Sequence, residues 1–126
     1  KKIVYRFISD RIICAIDDNK SLILNSANLF IPHSYPMETI VCLFNSDIYS
    51  FIYRKKFHST KVLKSHLQSM PLPVFSEEDH SKYKLFYTNI CSGNMKQEDI
   101  DLEICKYFGL TTEDYRYIKE SINGTT

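Results

Sequence analysis

Apolar residues change their spacing once along this chain, and the change falls at two prolines, Pro32 and Pro36. Ahead of it they come in short runs rich in β-branched and aromatic side chains, separated by Asp, Asn and Ser. Beyond it they recur at three- and four-residue steps. Strand-like runs followed by helix-like periods predict an α+β fold, a small, mostly antiparallel sheet packed with helices and followed by a helical tail. The 126 residues suffice for one domain with a hydrophobic core of its own.

The first run, "KIVYRFIS" at 2–9, predicts a strand. "RIICAI" at 11–16 is apolar at nearly every position, so a central strand covered on both faces is expected, reached by a tight connection at Ser9 and Asp10. "DDNK" at 17–20 carries turn chemistry, and "SLIL" at 21–24 is the returning strand. "NSAN" at 25–28 breaks it, and "LFI" at 29–31 is a further short strand closed by Pro32. The expectation is a meander of about four strands.

From Met37 to Asn45 the residues Ile40, Val41 and Phe44 fall on one helical face, and Ile48 continues the period. "NSD" at 45–47 supplies a stop and a new N-cap, so a second helix runs from Ile48 to about Lys56, presenting Ile48, Phe51 and Ile52. Beyond Pro73, "SEED" at 76–79 reads as a helix start. That helix buries Tyr83, Phe86, Tyr87 and Ile90 and ends at Gly93. Another spans about 97–108 with Ile100, Ile104, Cys105 and Phe108 inward and Gly109 as its stop. A last one follows Thr111 or Thr112 and turns Tyr115, Ile118 and Ile122 inward. The acids of these helices are expected on a solvated outer face, complementing the helix dipoles.

The chemistry that the chain lacks narrows its function. Its three glycines are isolated, so no phosphate-cradling loop exists. The four cysteines form no Cys-x-x-Cys pair and are expected as buried, reduced thiols of a cytoplasmic protein. His33, His58, His66 and His80 share no ligand spacing with them, so no metal site is expected. No nucleophile elbow or acid–base pair is marked by spacing. No apolar run reaches the ~20 residues of a membrane span. The chain opens on Lys1 without Met or a signal pattern and is expected to be a piece of a longer protein. Binding without conversion is the expectation.

Charge indicates what is bound. Residues 1–75 hold ten Lys and Arg against five Asp and Glu, and residues 76–126 hold six against ten. No acid stands between Asp47 and Glu77, a window containing Arg54, Lys55, Lys56, Lys61 and Lys64. Within it, "FHSTKVLKSHLQSMPLP" at 57–73 interleaves lysines with Ser, Thr, His and Gln donors, the mixture suited to phosphate oxygens. Arg54, Lys55 and Lys56 also have a local role, because cations suit the last turn of a helix. Pro71 and Pro73 cannot extend a helix and turn the chain toward the tail.

Four strings in order, "KIVYRFIS", "ICAIDDNKSLILNSANLFIP", "IVCLFNSDIYSFIYRKKF" and "KVLKSHLQSMPLP", resemble the TaqI-like C-terminal specificity domain, the target-recognition module of adenine-specific DNA methyltransferases and fused restriction–modification enzymes. "DLEICKYFGLTTEDYRYIKESI" resembles the helical tail of such enzymes. The resemblance implies double-stranded DNA as partner, with residues 1–75 the strand-rich, basic recognition part and residues 76–126 the acidic helical tail of the same single domain. It implies phosphate contacts from Lys55, Lys56, Lys61 and Lys64, and backbone or base contacts from His58, Ser59 and Thr60. Asn25 of the Asn-Ser pattern and Arg6 are further candidates, with a structural turn the competing role of Asn25. S-adenosylmethionine and an Asn-Pro-Pro-Tyr-type motif are implied in an upstream methyltransferase domain; "YPME" and "MPLP" lack the Asn-Pro-Pro, so no cofactor and no catalysis are expected here. The competing expectation is an interaction or structural domain whose acidic tail docks a partner subunit.

Overall fold

The computed structural model describes residues 2–6, 11–17, 27–30, 32, 34–57 and 61–123. Strands β1 (Lys2–Arg6), β2 (Cys14–Asp17) and β3 (Ala27–Phe30) form one antiparallel sheet in the order β2-β1-β3. Among the described residues the middle strand is therefore β1 and "RIICAI" flanks it, where a central second strand was expected. The cause is one-sided cover. Helix α1 (Met37–Phe44) packs against β1 and β2, and burial alternates: Ile12 and Cys14 are buried while Ile13 and Ala15 are exposed. β3 begins at Ala27, inside the string expected to break the sheet, and Asn28 stands opposite Tyr5. The returning strand expected at 21–24 lies outside the described residues, among which the sheet has three strands.

An unpaired strand edge leaves backbone donors and acceptors that need partners. Asn45, just past α1, supplies them at β2. Its Oδ1 accepts from the Cys14 N–H at 2.8 Å and its Nδ2 donates to the Cys14 carbonyl at 2.8 Å. One side-chain amide thus stands where a neighbouring strand would.

Helix α1 lies between the sheet and α4 (Glu77–Cys91), which is why every residue from Thr39 to Phe44 is buried. Helix α2 (Asp47–Lys56) starts where the sequence predicts, with the Ser46 hydroxyl accepting from the Tyr49 N–H at 3.1 Å. Its buried arc is shifted: Ile48, Tyr49, Ser50 and Tyr53 are buried, and Phe51 and Ile52 only partly so. α2 packs against α1, α5 (Gln97–Phe108) and α6 (Thr112–Ile122) together, so a single apolar stripe does not describe its cover. The five-residue α3 (Lys64–Gln68) has no counterpart in the sequence expectation.

The tail follows its local signals closely. Ser76 with Asp79 and Thr111 with Asp114 form reciprocal capping boxes at α4 and α6. Gly109 ends α5 at φ 71°, in the left-handed region that favours glycine. The reversal there moves one expected core residue outward. Phe108 is 43% exposed, and Leu110, whose N–H donates to the Cys105 carbonyl at 2.8 Å, packs against the core instead. On α4 only His80 and Tyr83 are fully buried, with Phe86, Tyr87 and Ile90 partly so. Cys14, Cys42 and Cys105 are buried, but Cys91, the last residue of α4, is exposed.

One acid departs from the expected solvated face. Asp101 is 2% exposed. Its carboxylate accepts from the Tyr115 hydroxyl at 3.1 Å, Gln97 Nε2 at 3.1 Å and the Asp47 N–H at 3.2 Å, tying α5 to α6 and to the start of α2. Burial lifts its pKa above the ordinary carboxylate value, and the bonds from Gln97 and the Asp47 N–H oppose that rise. A single cluster of buried side chains runs from Ile3 and Tyr5 through Leu43 and Tyr49 to Ile104 and Ile118. No helix among the described residues is long and apolar enough to cross a membrane.

Candidate nucleic-acid interface

The acid-free window folds as the second half of α2, a connection, and α3. Val62, fully buried, Leu67 and Met70 anchor it in the core, while Lys61, Lys64, Ser65 and Gln68 are exposed. The spacing of those three apolar anchors leaves the residues between them facing solvent. Lys61, Lys64, Ser65 and Ser69 are thereby presented outward while the segment still packs.

A clip joins this segment to α2. The Tyr53 hydroxyl lies 3.2 Å from the Lys61 carbonyl oxygen, to which it donates, and 3.0 Å from His66 Nδ1. The His66 ring stacks on Phe57, centroids 4.0 Å apart and planes at 18°, and meets Tyr53 edge-on. Tyr53 and Phe57 are four residues apart on the α2 side, so one helical face supplies both partners. Burial raises the Tyr53 phenol pKa, with nearby Tyr5 adding to the effect, so the hydroxyl stays protonated.

Not every cation of the window belongs to this surface. Arg54 Nη1 donates to the Ser121 and Ile122 carbonyl oxygens at 3.1 and 3.0 Å, satisfying the end of α6. Lys55 is exposed with its ammonium 5.3 Å from the Phe51 ring centre, and Phe51 in turn meets Tyr117 of α6. Lys56 is exposed with its ammonium 5.9 Å from the Phe57 ring centre, beside the clip. The structure thus sets Lys56 beside Phe57, leaves Lys61 and Lys64 exposed in the segment that carries His66, leans Lys55 toward α6, and uses Arg54 within the fold. Arg6 is exposed at the end of β1, near Val4, Ile13 and Ala15 on the sheet face away from α1. Asn25, His58, Ser59 and Thr60 lie outside the described residues.

The proline step is held by tyrosines. Tyr49 donates to the Pro71 carbonyl at 2.8 Å, Tyr107 to the Val74 carbonyl at 3.0 Å, and Tyr35 to the Pro73 carbonyl. Proline has no N–H, so these carbonyls have no strand ladder to enter, and side-chain donors satisfy them. Beside the step a cavity of about 310 Å³ opens between Tyr35, Phe44, Leu67 and Leu72, with Lys64 and Gln68 at its edge. These long-range partners leave no local signature, although the count of nine tyrosines was visible.

Several titratable groups among the described residues are held by burial and hydrogen bonds. Burial pushes the Cys14 and Cys42 thiols up to about 12, and raises that of Cys105, so none is a thiolate near neutral pH. His80 Nδ1 is occupied by the Thr39 hydroxyl at 3.0 Å between aromatic rings of Tyr35 and Phe75. Among the described residues no cluster of three His, Cys, Asp or Glu side chains converges as a metal site would require.

A protein-family model described as the TaqI-like C-terminal specificity domain matches residues 1–72. That span holds the sheet, α1, α2 and α3, and stops at the proline step. No curated protein and no solved structure matches the chain.

Proposed function

The chain belongs to the TaqI-like C-terminal specificity domains, and from that membership we propose that it recognises a target sequence in double-stranded DNA. A specificity domain selects where an enzyme acts and is not itself catalytic. In this reading the chain directs an adenine-specific methyltransferase domain, with or without an endonuclease, which lies upstream in the parent and carries the S-adenosylmethionine site. Lys55, Lys56, Lys61 and Lys64 make phosphate contacts that fix register. His58, Ser59 and Thr60, in the connection between α2 and α3, reach base edges in the major groove. Arg6, exposed at the end of β1, and Asn25 add contacts.

The observation that carries the proposal is the fold of the acid-free window. Val62, Leu67 and Met70 are spent on the core, and Lys55, Lys56, Lys61, Lys64 and Ser65 are left exposed. Duplex titrations at two salt concentrations test it. Each phosphate contact steepens the fall of log affinity with log salt by about 0.9. Lys61→Ala with Lys64→Ala is expected to flatten that slope by nearly two such contacts; an unchanged slope overturns the proposal.

A second reading rests on the tail. Leu85, Tyr107, Phe108 and Tyr117 are exposed on α4, α5 and α6, a set of large apolar side chains suited to docking the methyltransferase domain or a partner subunit. The two readings are compatible, one for each part of the chain.

A further inference from the structure

Resting on the DNA reading above, we infer that His66 is an additional phosphate-contacting residue, and that it takes up a proton at Nε2 when DNA binds. The inference follows from counting hydrogens at the Tyr53 clip. A phenol carries one hydrogen. The Lys61 carbonyl oxygen, 3.2 Å away, can only accept, so that hydrogen is directed to it. The contact of 3.0 Å between Tyr53 Oη and His66 Nδ1 then requires the hydrogen to sit on Nδ1. In a neutral imidazole this makes Nε2 a bare acceptor.

Turning the ring by 180° keeps its stack on Phe57, at 4.0 Å between centroids, but puts Cδ2 in place of Nδ1 at the phenol and forfeits the 3.0 Å contact, so the hydrogen bond to Tyr53 fixes the ring's orientation. Nε2 lies across the ring from Nδ1, away from the buried phenol, and among the described residues no group bonds it. His66 itself is partly exposed. Tyr53 of α2 meets the ring directly, Lys56 lies beside its stacking partner Phe57, Lys61 and Lys64 are exposed in the same segment of chain, and Tyr5 of β1 neighbours Tyr53. No carboxylate occurs in the sequence between Asp47 and Glu77. Among the described residues no carboxylate bonds the ring, and Lys56 stands beside its stacking partner Phe57.

A phosphate oxygen supplies an anionic partner. A bare Nε2 repels it, whereas Nε2–H of the imidazolium donates a charge-assisted hydrogen bond to it. The proton comes from solvent, Nδ1–H stays on Tyr53, and the Phe57 face accommodates the cation. Binding is then linked to uptake of one proton.

Two measurements on the whole chain decide this. In the free protein at neutral pH, long-range proton–nitrogen NMR correlations should report His66 as the Nδ1–H tautomer. Duplex affinity at fixed salt should be about five- to tenfold tighter at pH 5.5 than at pH 7.5, as one linked proton allows. His66→Gln should flatten that dependence. An Nε2–H tautomer, or the same pH dependence in His66→Gln, overturns the inference while leaving DNA recognition standing. Absence of duplex binding at low salt overturns both.

Discussion

At the scale of single residues, side chains with a charge or hydroxyl do most of their work on backbone groups that the fold leaves open. Asp101 is the buried case. Removing its carboxylate as Asp101→Ala strands the Tyr115 hydroxyl, Gln97 Nε2 and the Asp47 N–H, and should cost about 2–4 kcal/mol in urea unfolding at neutral pH. Its pH signature has a definite sign. Burial raises its folded pKa above the unfolded one, so the protonated form is favoured by folding. The associated stability is present below the ordinary aspartate range and is lost as pH rises through the elevated folded value. Glu103 behaves oppositely, since the Lys82 and Lys106 ammonium groups lower its pKa. Unfolding curves between pH 4 and pH 7 should therefore show a declining component that Asp101→Asn abolishes. Arg54→Ala should cost about 1–3 kcal/mol by freeing two carbonyls of α6, read as a lowered melting temperature.

At the scale of elements, the starts and stops of the tail were legible because their signals are local. Ser76 and Asp79, Thr111 and Asp114, and Gly109 each act within four residues, and the helices begin and end beside them. Gly109→Ala places a side chain at φ 71° with no atom within 4 Å of the new Cβ, so only backbone strain of about 1 kcal/mol is expected on thermal unfolding. The sheet was less legible. An apolar run at 11–16 cannot reveal that one of its faces is left bare, nor that Asn45, far along the chain, completes its edge. α3 escaped notice because five residues are too few to display a period. It is fixed by tertiary contacts, so Leu67→Ala should cost about 2–4 kcal/mol and loosen Lys61 and Lys64 ahead of it. Amide exchange faster around α3 than in α1 would register that loosening.

At the scale of the molecule, a modest net charge of +1 conceals two parts of opposite balance sharing a core. The family match ends at Pro71 and Leu72, where three tyrosine hydroxyls hold the chain as it passes into the acidic tail. The basic surface was visible in the sequence as a gap in the acids. Which cations it contains was not, because the capping of α6 by Arg54 and the lean of Lys55 toward Phe51 depend on helices more than sixty residues away. The most direct test of DNA recognition is a backbone-amide NMR titration of the whole chain with duplex DNA at low salt. The expected shifts cluster in residues 55–70, reversing as salt is added, and leave α5 nearly still. Shifts confined to the tail, or none at all, would contradict the account.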